Sequence, residues 1–89
     1  MKMKYAVLSQ NCFNEYSSYK LMRQRVKWLK RFGCTYTVEP YFNVVTVDTG
    51  ICLYNGYWYG AYETKRNFAL KGIQTKIVYA DPKKNKKRK

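Results

Sequence analysis

Lys20, Arg23, Lys27, Lys30 and Arg31 follow one another at short intervals, and no acid lies between Glu15 and Glu39 to offset them. Residues three or four apart share a face of a helix, so these cations form a row suited to phosphate contacts. Such contacts position a polyanion without reading its sequence. With Arg25, the stretch carries six cations and no acid in twelve residues. A merely solvated face usually mixes signs, because like charges at i,i+4 weakly oppose a helix. The second group is aromatic: Tyr54, Tyr57, Trp58, Tyr59 and Tyr62, with Lys65 and Arg66 just beyond. Exposed tyrosines beside cations suit base stacking, worth roughly 1–3 kcal/mol per base, or an anchor at a protein interface. The third is the run Lys83, Lys84, Lys86, Lys87, Arg88 and Lys89, broken only by Asn85. It adds non-specific attraction for polyanions and fits a nuclear-localisation pattern.

The residues that catalysis would need are sparse. There is no histidine, and the five acids are scattered. A Ser/His/Asp triad and a histidine-containing metal site are therefore impossible. Asp48 and Glu63, the acids nearest the aromatic cluster, have no visible carboxylate partner; a catalytic carboxylate usually needs one, or a metal. Cys12, Cys34 and Cys52 form no C-x-x-C pair, and lie without nearby ligands or an activating histidine. They read as small buried apolar residues. The expectation is a binding protein with no enzymatic activity, no metal and no cofactor.

The elements that must position these groups fit within one domain, since the chain has 89 residues. Its 46% of hydrophobic residues and its sixteen rings (two Trp, ten Tyr, four Phe) suffice for a globular core. The net charge is +13. Twelve basic residues remain against five acids once the six cations after Pro82 are set aside, so the body is +7. That predicts affinity for polyanions and repulsion between copies. We expect a basic domain over residues 1–82 and a disordered tail over 83–89. The apolar run after Met1 is too short for a signal peptide, and no stretch approaches the roughly 20 apolar residues of a membrane span. The expected setting is cytoplasmic, or nuclear in a eukaryotic host.

Alternation of Met3, Tyr5 and Val7 predicts a strand to Ser9. Asn14 is the expected cap of a helix running to about Phe32 and closed by Gly33, with Glu15 near its positive end. On a helical wheel Leu21, Met22, Val26, Trp28, Leu29 and Phe32 share an arc of roughly 160°, opposite the cations. Strands are expected over residues 34–39 and 44–48. Asn55-Gly56, between Ile51–Tyr54 and Tyr57–Tyr59, is the signature of a type I′ hairpin. A short helix capped by Thr64 and closed by Gly72, then a strand over residues 75–79, complete the pattern.

The halves echo one another. Tyr5-x-Val7, Cys12-Phe13 and Gly33-Cys34-x-Tyr36-x-Val38 match Val45-x-Val47, Cys52-Leu53 and Gly72-Ile73-x-Thr75-x-Ile77. A β-α-β unit written twice predicts an α+β, ferredoxin-like βαββαβ arrangement, with two helices on one face of a small sheet. The aromatic hairpin is then an extra strand pair or an ornament on the second crossover.

Gly50 after Val47, the helix closing at Gly72 and Ile77 in the last strand are the features by which the chain resembles the SPOR repeat domain. That resemblance implies a βαββαβ fold and binding to peptidoglycan glycan strands. Locally, Gly56-Tyr57-Trp58-Tyr59-Gly60-Ala61-Tyr62-Glu63-Thr64 with Phe68-Ala69 is similar to the last strand and following helix of AP2-type and integrase arm-type DNA-binding domains. In those families a three-stranded sheet enters a groove of DNA.

The leading expectation is an RNA- or DNA-binding protein that uses Lys20, Arg23, Lys27, Lys30 and Arg31, helped by Tyr54, Tyr57, Tyr59, Lys65, Arg66 and the basic tail. The alternative is an inhibitor or accessory factor of the kind small viruses and phages encode. There the aromatics would anchor it and the cations would meet an acidic groove on a nucleic-acid-processing protein. Glycan binding is the third.

Overall fold

The computed structural model describes residues 2–85. Strand β1 (Tyr5–Ser9) turns through Gln10 and Asn11 into β2 (Cys12–Tyr16), with Val7 opposite Asn14 and Ala6 opposite Glu15. The expectation of a helix capped at Asn14 is therefore corrected. Residues 12–16 extend the sheet as an edge strand, and their outward Cys12, Phe13 and Glu15 lack the apolar alternation by which a strand is usually read. The cap falls at Ser18, whose extended backbone lets Oγ accept from the N–H groups of Lys20 and Leu21.

Helix α1 (Tyr19–Arg31) buries Met22, Val26 and Leu29, spaced i, i+4, i+7, against Tyr5 and Val7. Tyr16, Tyr36 and Val38 complete this first core. The helix ends in a Schellman motif: Gly33 N–H donates to Lys30 and Cys34 N–H to Leu29, with Gly33 at φ +68°. The second helix closes identically, with Gly72 N–H donating to Ala69 and Ile73 N–H to Phe68.

Strands β3 (Tyr36–Pro40) and β4 (Phe42–Thr46) are separated only by Tyr41. Tyr41 donates its N–H to Lys4 and accepts the N–H of Ala80, so the segment changes partners at this residue. β3 pairs with β1, whereas β4 pairs with β5 (Cys52–Gly56) and β6 (Thr75–Tyr79). Two three-stranded antiparallel sheets result, ordered β2-β1-β3 and β5-β4-β6, where one small sheet was expected. Tyr36 and Val38 face α1, while Phe42 meets Trp58 of helix α2 (Trp58–Leu70). Side chains alternate along a strand, so both helices lie over the same parity of this segment and hence on one face. The α+β class and the βαββαβ-like order stand, with one further strand inserted after β1 and another after β4. That insertion reverses the chain before each crossover, which is why β1 and β3 run antiparallel.

The aromatic hairpin does not form. Asn55-Gly56 ends β5, and residues 58–70 are helical, so Tyr59 and Tyr62 belong to α2 and Thr64 lies inside the helix it was expected to cap. The β4–β5 turn sits earlier, with Gly50 at φ +73°. Gly56 is needed for space instead: a Cβ there, or at Gly60, would collide with the Tyr54 ring. The Asn55 amide donates to the Met3 carbonyl and to Asn43 Oδ1, tying the two halves. On the helix-free face, Ala6, Tyr41 and Ala80 form a second core with Met3 and Tyr57.

A last short element spans the expected boundary at Pro82. Pro82–Asn85 form a 3-10 turn, and the Asn85 side chain both accepts from Tyr79 N–H and donates to its carbonyl. Lys83 and Lys84, the first residues of the expected tail, belong to this turn. Lys86, Lys87, Arg88 and Lys89 lie outside the described residues.

Candidate nucleic-acid interface

All five expected cations of α1 are exposed. From Lys20 to Arg31 they extend about 16 Å at the helical rise of 1.5 Å per residue, the axial length of about five phosphates on one strand of a duplex. Helix α1 itself contains no acid. The nearest acids in sequence are used or placed elsewhere. Glu15 accepts from the Tyr41 hydroxyl, and Glu39 lies opposite Ala6 in register, away from the helices. Asp81 accepts from Tyr5, and that hydrogen bond is the main reason its carboxyl sits below the ordinary range. Burial, reinforced by these carboxylates, pushes the Tyr5 and Tyr41 hydroxyls well above the usual tyrosine value.

The core takes only part of the apolar arc of α1. Leu21 is 48%, Trp28 48% and Phe32 61% exposed. A narrow three-stranded sheet meets one stripe of the helix and leaves this second stripe bare, flanking the cations. Trp28 and Phe32 rings approach to 4.7 Å, and the Arg25 guanidinium lies 4.8 Å over Trp28. Trp28 borders two depressions. One, of about 280 Å³, lies between α1 and the β1–β2 turn; the other is lined by Gln24, Lys27, Trp28 and Arg31. On the helical wheel Trp28 and Phe32 share one apolar arc with the buried Met22, Val26 and Leu29. The warning available was the arc itself, wider than the roughly 100° stripe that one packing partner covers.

The remaining expected residues are dispersed. Tyr54 packs over Gly56 and Gly60, with its hydroxyl 3.5 Å from the Tyr57 carbonyl. Tyr57 sits in the second core, its ring 5.0 Å from Tyr41 and 6.3 Å from Phe13. Tyr59 (75% exposed), Lys65 and Arg66 are on the outer surface of α2, beside exposed Trp58 and Tyr62. Lys83 joins Lys4, Lys20 and the Asp81 carboxylate around the start of α1. The expectation of buried cysteines is corrected too: Cys12 and Cys34 are exposed and Cys52 is half-buried.

Among the described residues no group of three or more Cys, Asp or Glu side chains could hold a metal ion. No helix among them is long and apolar enough to cross a membrane. No protein-family model, curated protein or solved structure matches this chain.

Proposed function

We propose that this is a non-enzymatic nucleic-acid-binding protein that grips phosphates through the outer face of α1. The observation that carries the reading is the row of five exposed cations on a helix without an acid. In water such a row gains little within the folded chain, whereas each phosphate it neutralises releases counterions and strengthens binding. The basic residues after Pro82 extend the same attraction. Binding to labelled oligonucleotides across a salt series tests it. With about six phosphates neutralised, log K falls against log salt with a slope near −5 on a duplex and near −4 on a single strand. A folded Lys27→Glu/Lys30→Glu/Arg31→Glu variant that binds as well as the parent overturns the helix assignment.

The second reading, a protein partner with an acidic surface, is favoured by α2. Trp58, Tyr59, Tyr62 and Leu70 are all at least half exposed there, with Lys65 and Arg66 among them. Aromatic anchors bordered by cations are the usual makings of an interface hot spot. A pull-down that survives nuclease treatment and is lost in Tyr59→Ala/Tyr62→Ala would select it.

A further inference from the structure

We infer that the polyanion held by α1 is single-stranded, and that one unstacked base seats between α1 and the β1–β2 turn, against Trp28. The inference rests on the phosphate-grip reading above and specifies its ligand.

Duplex DNA offers a helix phosphates and groove edges, while its base faces are stacked away. Half-exposed aromatic rings beside a cationic row match single strands, where bases stack on protein rings. On α1 the two features share one edge. Gln24, Lys27 and Arg31 border Trp28 on one side, and Arg25 lies over its ring. A backbone tracking the cations therefore passes within a side chain's reach of the Trp28 and Phe32 rings.

The cavity fits the same ligand. Its volume of about 280 Å³ lies just under the range of drug-sized pockets, enough for one planar ring system. Leu29 and Trp28 supply apolar wall, while Gln10 and Asn11 in the turn bring amides that both donate and accept. Arg25 also lines the cavity, and its planar guanidinium would lengthen the stacking surface.

The test uses the full chain with three probes at fixed salt: oligouridylate, oligothymidylate and a duplex of equal length. Tighter binding of the single strands than of the duplex is expected. Trp28→Ala should weaken single-strand binding about five- to a hundredfold, as loss of one stacked base implies, and leave duplex affinity and the salt slope unchanged. In the unaltered chain, bound oligonucleotide should slow alkylation of Cys12 and Cys34, which both line the cavity, relative to Cys52. With Trp58→Phe as background, Trp28 emission should be quenched on binding. Preference for the duplex, or full single-strand affinity in Trp28→Ala with no quenching and no thiol protection, overturns the stacking site while the phosphate grip survives. No affinity for any of the three probes overturns both. Should Trp28→Ala misfold, the alkylation and quenching of native Trp28 decide by themselves.

Discussion

The Tyr5 hydroxyl donates to the Asp81 carboxylate, 76 residues further along the chain. This bond pins the first strand to the segment that follows the last one. Both residues are buried, and Asp81 also accepts from Lys83 N–H. Tyr5→Phe keeps the ring but removes one donor from a buried charge. We expect a loss of about 1–3 kcal/mol, read as a lower urea midpoint with unchanged m-value.

The same pair sets an acid limit. Because the folded Asp81 carboxyl is depressed, chiefly by the Tyr5 hydrogen bond, its contribution is fully present above the unfolded aspartate value of about 3.9. It disappears as pH falls through the lower folded value. Stability measured between pH 6 and about pH 2 should therefore drop more steeply in the parent than in Tyr5→Phe. Parallel curves would refute the linkage.

Gly60 and Gly33 should fail for different reasons. Helix propensity alone makes Gly60→Ala stabilising by about 1 kcal/mol. The Tyr54 ring occupies the space of the new Cβ, so we expect destabilisation by about 1–3 kcal/mol instead. Tyr54→Leu in the same chain should recover part of it. Around Gly33 there is open space, and its φ of +68° is the obstacle; Gly33→Ala should cost about 1–2 kcal/mol, with no second-site rescue by trimming a side chain. Thermal unfolding of the three variants distinguishes the cases.

Single cation removals should behave as phosphate contacts do. Lys27→Ala or Arg23→Ala should weaken oligonucleotide binding to a similar extent for every sequence tried and reduce the salt slope by about 1. Glu39→Gln, on the helix-free face, should leave the slope as it is. Anisotropy titrations at several salt concentrations give both numbers.

How much of this was legible beforehand varies from element to element. Tyr5 and Val7 marked β1, and Gly33 and Gly72 marked both helix ends, because the left-handed residue of a Schellman motif is a local requirement. Thr75 to Tyr79 likewise became β6. Residues 12–16 were missed because an edge strand with exposed side chains has no apolar rhythm. Asn55-Gly56 misled because the same dipeptide that makes a turn also serves where a ring must lie close to backbone, and only the position of Tyr54 distinguishes the two uses.

For the site, the cationic row was readable in full, since charge and helical spacing are properties of the chain itself. Composition likewise limited the chemistry: without histidine, whole classes of site are excluded. Tertiary structure alone decided which rings reach the surface. Tyr54 and Tyr57 went inward and Trp28 and Phe32 outward, because burial depends on the width of the sheet beneath a helix, and no local pattern encodes that width. The same holds for Tyr41, where strand partners change, and for the meeting of Tyr5 with Asp81, both set by how the two halves abut.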